Sequence, residues 1–538
     1  MNESFNLLDE RWIPVCMTDG RLCEVSLLEL FEQAGQIRTL AETSPPSFIA
    51  LYRLLLAITH RALSRLPNGW KDRDRADWYR HGLPLEPLHD YLKQWRERFW
   101  LFHPEYPFMQ VAALATAEET CNKLKPWTQI SLASANGADP VVFDHSCDLQ
   151  PTMIEPALAL RHLLGFLQFV PGGLVKVFGT ADKAGPITDS AASLPTGSTL
   201  NKTICLALHP CIRTDTQDIP SWERSAPSLS DLRADPTLAT GANDRYTRLS
   251  RALLLRRNDD GKVQWLHFAE GIALAEDVNA PDPMASYRAS HDKLVRLSFR
   301  EGRALWRDLT ALIPDAKGKA SHPAAVLGWA ANLKFSLGEE HTDLAILVAG
   351  VACVPGRDKL LRWRMEQVAL PLPLLNDPNL ADYLRDEIRR AEDTYKKFQE
   401  IASKMLAETM AGKGLKTKIG TEPKKKISEE TLKAARTSLD AGPYAATFFA
   451  TIERDLPRLL KKIAAMEVEA AQALWSESLQ KAAMATWDTL RQSMGQSPSA
   501  LRAEARAYHG DGRTKGFRAL HSSLYSKTEI QVSQEVQA

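Results

Sequence analysis

Apolar and polar positions follow two rhythms along this chain, and the change between them falls near residue 375. Before it, short apolar runs are broken repeatedly by Pro, Gly, Asn and Asp, with helical stretches between them. Trp12, Ile13 and Val15 alternate with polar or turn residues as a strand does, and Pro14, which has no ladder donor, suits an edge position. The turn residues Thr18, Asp19 and Gly20 lead into a second such run, residues 21–27, so the pair predicts a β-hairpin with Ser26 capping the helix that follows. Residues 48–66 are apolar over one broad face, and 155–169 predict a buried helix. The runs 203–208, 252–255 and 263–268 read as strands. Together these segments predict an α+β fold, with a mixed α/β body over residues 1–375.

Beyond that point the chain turns helical. Leu384, Ile388, Ala391, Tyr395, Phe398, Ala402 and Met405 recur at alternating four- and three-residue spacings, the mark of one buried stripe on a long helix. Leu456, Leu459, Leu460, Ile463 and Met466 continue the theme, and Leu474, Trp475, Leu479, Ala483 and Trp487 define a further helix. A last one is predicted from Ser499, as N-cap, to Leu524. Four amphipathic helices joined by short polar turns predict an antiparallel four-helix bundle over 376–527, and the polar residues 528–538 read as a disordered tail.

Composition narrows this picture only slightly. A chain of 538 residues is too long for one core. Its 67 basic and 66 acidic residues leave a net charge of +1, so it has no global basic field and any nucleic-acid contact has to be local. The densest basic tract, Lys413, Lys416, Lys418, Lys424, Lys425 and Lys426, is interrupted by glycines and Pro423. It reads either as a solvated interhelical loop or as a non-specific clamp on a DNA backbone. Seven scattered cysteines without a CxxC pair argue against a disulfide framework and a zinc ribbon. With no signal-like start and no apolar run of about 18 residues, the expectation is a cytoplasmic protein without a membrane segment.

Enzyme motifs are not evident: there is no Walker loop, GxSxG, HExxH or HNH-like cluster, no regular ligand spacing among the thirteen histidines, and no cofactor is expected. Asp144 beside His145 looks like half a catalytic dyad, but neighbours on a strand point to opposite faces. A hydrolase using Asp144, His145 and Cys147 would require a partly exposed, low-pKa thiol. A purely structural helical scaffold subunit would show no DNA dependence in any loop.

The residues Phe5-Asn6-Leu7-Leu8-Asp9-Glu10-Arg11-Trp12-Ile13-Pro14-Val15 resemble the opening signature of the CasA family, the large subunits of type I-E CRISPR Cascade complexes. Further segments resemble that family in its own order. His103 to Gln110 resembles its HPxxPFxQ segment, and Asn136 to His145, ending Phe143-Asp144-His145, resembles its loop before an FDH-like motif. Gln168 to Lys176, with Pro171-Gly172-Gly173, resembles its glycine loop. Val348-Ala349-Gly350, Trp363 and Leu370-Pro371-Leu372-Pro373 bracket the counterpart of its second DNA-contacting loop.

The resemblance implies a non-catalytic subunit with an α+β body and a C-terminal four-helix bundle. Such a subunit reads a protospacer-adjacent motif in duplex DNA, largely from the minor groove. It also starts strand separation for guide-RNA pairing and supports recruitment of a separate helicase-nuclease after the R-loop forms. Gly172 and Gly173 would bring backbone amides close to a base edge or phosphate, with Lys176 reaching a phosphate. Asn136, Gly137, Phe143, Asp144 and His145 would dock the subunit on guide RNA and its neighbour, Phe143 stacking on a base. Without the resemblance, Phe143 reads as core and His145 as its hydrogen-bonded neighbour. Pro355, Gly356, Arg357, Asp358 and Lys359 would form the wedge, and Lys424, Lys425 and Lys426 would meet the DNA backbone. The chain departs from the family at Leu174, where many relatives keep Gly, at Arg357, in place of a wedge glutamine, and at Asp358, in place of a small residue. The family's occasional four-cysteine zinc site is missing.

Overall fold

The structure, a computed structural model, describes residues 3–67, 69–132, 148–172, 175, 177–179, 184–188, 190–211, 217–275, 280–290, 293–353, 360–412, 427–510 and 515–525. The chain divides into two compact units, Met1–Asn376 and Asp377–Ala538. Mixed α+β architecture is present as the patterning predicts.

In the first unit, the strand Ile13–Met17 lies between Leu22–Val25 and Ile37–Leu40, antiparallel to both. The predicted hairpin is there, but its first strand is central rather than an edge. Pro14 is tolerated because pairing with Ile37–Leu40 begins only at Val15, and the Pro14 carbonyl accepts from the Ala41 amide. Trp12 is fully buried and its indole N–H donates to the Leu7 carbonyl. Ser26 caps the helix Leu27–Glu32 in a reciprocal box with Glu29.

The helix Pro45–Ser64 is buried along most of its length and packs against the helix Pro156–Phe169. Gly165 permits that approach, since a Cβ there would sit 2.8 Å from Ser47 Oγ and 2.9 Å from Ser47 N. The strand expected at 203–208 is instead part of the helix Leu200–Ala207, whose N-cap Thr199 accepts from the Lys202 amide. Seven of its eight residues are buried, and a continuous apolar run does not distinguish a buried strand from a buried helix. The other two strands stand as expected, Arg251–Arg257 pairing with Val263–Glu270 in one three-stranded sheet. A long hairpin, Asp343–Cys353 with Leu360–Pro371, forms another with Ala191–Thr196.

The second unit is helical. Its longest helices are Pro378–Gly412 and Val468–Met494, joined among the described residues by Glu429–Ala441, Tyr444–Glu453, Leu456–Ala464, Pro498–His509 and Phe517–Ser522. Leu384, Ile388, Ala391, Phe398, Ala402 and Met405 are buried as the stripe predicts, while Tyr395 is half-buried beside Phe448 and Phe449. Two boundaries differ. Met466 has a φ of 59° and is 68% exposed, so it leaves the stripe just after the helix ends at Ala464. The last helix is capped by Ser497 rather than Ser499, because Pro498 takes the first helical position, and it breaks at Gly510, whose φ is 85°.

Candidate nucleic-acid interface

Among the residues singled out for nucleic-acid contact, the structure describes Gly172, which is half-buried. Gly173, Lys176, Asn136, Gly137, Phe143, Asp144, His145, Pro355 to Lys359 and the six lysines of the basic tract lie outside the described residues, as does Cys147.

The glycine segment leaves the buried helix Pro156–Phe169 at Val170, whose amide still donates to the Phe166 carbonyl. The Val170 carbonyl then accepts from the Gly185 amide and the Thr188 hydroxyl. One residue later, the Pro171 carbonyl accepts from Arg251 Nη2 at 3.2 Å. At the far side, the amides of Val177, Phe178 and Gly179 donate to the Glu270 carboxylate at 2.7, 3.0 and 3.3 Å. Arg251 and Glu270 are both buried, and they are register partners across the strands Arg251–Arg257 and Val263–Glu270.

Segment 354–359 joins the two strands of the long hairpin, whose register shifts between Ala352 and Cys353 before Cys353 pairs with Leu360. Gly350 makes room for the neighbouring strand, since a Cβ there would lie 2.5 Å from the Ser190 carbonyl oxygen. Segment 133–147 is clasped at its base by a hydrogen bond of 2.8 Å from the Thr128 hydroxyl to Asp148 Oδ1. Trp127 supports that base, its indole N–H donating to the Thr152 carbonyl and its ring stacked on His162. Burial pushes the His162 imidazole down to about 4, so it is neutral at ordinary pH.

One side chain draws the three stems together. Trp363, four residues beyond segment 354–359, donates its indole N–H to the Leu132 carbonyl at 3.2 Å, immediately before segment 133–147. The same ring meets Phe169 edge-on, with centroids 5.9 Å apart, three residues before Gly172. The segments singled out for RNA docking, motif reading and wedging therefore start from neighbouring points.

The other motif residues hold the framework. His103 Nδ1 accepts from the amides of Glu105 and Tyr106, and the rings of Phe108, Phe99 and Trp222 form a mutually contacting cluster. Gln110 is buried, donating to the Leu101 carbonyl while its own carbonyl accepts from the Leu255 amide. Arg161 ties the helix Pro156–Phe169 to the N-terminal hairpin through the Trp12 carbonyl, Glu24 and Glu42. Sequence reasoning missed Arg251 and Glu270. Their signal was a charged residue at the very start of one apolar run and at the very end of its partner.

A separate cavity of about 220 Å³ is lined by His60, His209, Asp218, Arg245 and Trp329 among others. His60 Nδ1 takes a hydrogen bond from Asn243, while Nε2 faces the Pro210 carbonyl at 3.3 Å, which assigns the proton to Nε2. The ring stacks on His209 at 3.6 Å. Burial brings the His60 imidazole down to about 3, and burial with the neighbouring His60 lowers His209 as well. The Asp218 carboxylate accepts from the amides of Asn243 and Asp244, capping the helix Ala242–Tyr246.

Among the described residues, no helix is long and apolar enough to cross a membrane. The profile of the CRISPR-associated protein Cse1 family matches residues 6–486. A CRISPR-associated protein CasA/Cse1 of Thermus thermophilus is 34% identical over 524 residues, covering 96% of this chain and 98% of that protein. The solved structure of Thermus thermophilus CasA (Cse1) superposes with a TM-score of 0.78 at 29% identity, over 97% of this chain and 99% of that one. A chain of a CRISPR RNA-guided surveillance complex shares the fold at 20% identity and a TM-score of 0.71, over 98% of this chain and all of that one.

Proposed function

The chain belongs to the CasA/Cse1 family of CRISPR-associated proteins, and from that premise we propose that it is the large subunit of a type I-E-like Cascade complex. In this reading it acts by recognition, without covalent chemistry of its own. Its partners are the guide RNA, the other Cascade subunits, target double-stranded DNA and a helicase-nuclease recruited once the R-loop has formed.

The observation that carries the reading is the convergence of three segment stems on Trp363. A subunit that docks on guide RNA, reads a duplex and opens it needs those three contacts within a few base pairs of each other. A shared aromatic anchor supplies that spacing. The body would dock through 136–145, and the backbone around Gly172 and Gly173 would enter the minor groove, where small residues and a few donors suffice for a relaxed code. Residues 355–359 would then hold the first base pairs apart. Hybrid formation is a near-balanced strand exchange, so a few kcal/mol of protein contact is enough to decide whether it begins.

A comparison of intact duplex with a target already unpaired beside the motif tests this division of labour. Gly172→Val and Gly173→Val should lose motif-dependent affinity on both targets, because a side chain blocks close backbone approach. Changes in 355–359 should leave initial duplex binding intact and slow hybrid formation, and pre-opening should restore the rate because the unpairing cost has been removed. Equal rescue of both classes, or no defect in either, would overturn the assignment.

A further inference from the structure

Building on the reading of residues 171–179 as the motif-reading segment, we propose that Arg251 and Glu270 are its positioning residues. As a cross-strand pair, they hold its two ends, Arg251 at Pro171 and Glu270 at Val177 to Gly179.

Three amides in succession, those of Val177, Phe178 and Gly179, point at one carboxylate. Extended backbone cannot do this, since successive amides there point to opposite sides. Consecutive amides that converge form a concave anion site, and here the anion is supplied by the protein itself. Glu270 is 1% exposed, so these three charge-assisted hydrogen bonds both satisfy the buried carboxylate and hold the backbone that donates them. The Glu270 backbone has little freedom to follow a moving segment. A Cβ on the next residue, Gly271, would lie 2.1 Å from the Leu249 carbonyl oxygen, so the strand end is pressed against its neighbour.

Arg251, 2% exposed, performs the matching task at the other end. Its Nη2 donates to the Pro171 carbonyl and its Nη1 to the Ser250 carbonyl. Because Arg251 and Glu270 face each other in register, the two side chains rise from adjacent strands on the same face of the sheet. In the sequence, residues 172–176 lie between the two anchored points. Gly172 follows directly on the Pro171 anchor. A carboxylate directed outward at this place would repel DNA phosphates; directed inward and capped by three amides, it shapes the segment without opposing the ligand.

The test uses the reconstituted RNA-guided complex and reads the ratio of affinities for duplexes with and without the motif. Glu270→Gln replaces one acceptor oxygen by an amide donor that cannot serve all three N–H groups. It should lower the ratio by about tenfold, the size expected for losing one net hydrogen bond's worth of positioning, about 1.4 kcal/mol. Binding to the motif-free duplex should stay unchanged. Arg251→Lys keeps the charge but cannot fork between two carbonyls, and it should reduce the ratio in the same way even where Glu270→Gln lowers the yield of folded subunit. Pre-unpairing the target should rescue neither.

Ser26→Ala, which weakens a helix cap within the N-terminal hairpin region, serves as the stability control and should leave the ratio alone. Gly172→Val separates the two levels of inference. If it abolishes discrimination while Glu270→Gln and Arg251→Lys preserve it, the positioning role is wrong and the reading segment stands. If Gly172→Val itself preserves discrimination, both are wrong. An equal loss of ratio in Ser26→Ala would show a purely structural effect and would also overturn the positioning role.

Discussion

His60 shows how the surroundings of one residue set its charge. Its ring is packed against His209 and accepts a hydrogen bond from Asn243, near Arg61 and Asp218, and burial lowers its pKa from 6.5 to about 3. The folded chain therefore keeps it neutral while the unfolded chain takes up a proton near pH 6.5, as an ordinary imidazole does. Stability is complete above that pH and falls as pH drops toward 3, at up to about 1.4 kcal/mol per pH unit for this group, with His209 acting in the same direction. His60→Gln should destabilise the protein at pH 7.5 but flatten the dependence between pH 6.5 and 4. Urea midpoints measured across that range check this, and a slope equal to that of the parent would refute the role given to burial.

At the scale of elements, local signals prevailed wherever a cap or a proline gave the chain one choice. Ser26 with Glu29 starts a helix, and Pro498 moves the last N-cap back to Ser497. They failed at 203–208, where β-branched and apolar residues buried on every side fit either conformation until Thr199 and the neighbouring helices decided. The basic tract 413–426 connects two capable helices, Pro378–Gly412 and Glu429–Ala441, the second capped by Ser428. Neutralising Lys424, Lys425 and Lys426 together should weaken binding of all target sequences alike and make log K less steep against log salt by up to roughly 2 to 3 units, with motif preference unchanged. Titrations at several salt concentrations give the slope. A parental slope would identify the tract as solvated.

On the scale of the whole molecule, the balance of 67 basic and 66 acidic residues leaves recognition to local features and to the complex in which the chain works. Deleting 136–140 is the corresponding test. The Thr128–Asp148 clasp and the Trp127 packing lie outside the deleted residues, so the isolated subunit should keep its melting temperature within a degree or two. Docking on the RNA-containing complex should weaken at least tenfold, about 1.4 kcal/mol. Co-purification at parental stoichiometry would remove this segment from the docking surface.

What the sequence by itself determined was whatever depends on near neighbours in the chain: the hairpin around Asp19 and Gly20, the buried stripe from Leu384 to Met405, and the order of motifs that marks the family. Much of the opening motif and of the His103 to Gln110 segment proved to be framework, with Trp12, Phe108 and Gln110 buried among core contacts. Tertiary structure alone decided that Trp363 would reach Leu132, 231 positions away, and touch Phe169 as well. It also decided that Arg251 would hold the Pro171 carbonyl and Glu270 the amides of Val177 to Gly179, on either side of residues 172–176. Periodicity reports which face of an element is apolar; which faces meet depends on how whole helices and sheets pack, and no short window of sequence contains that information.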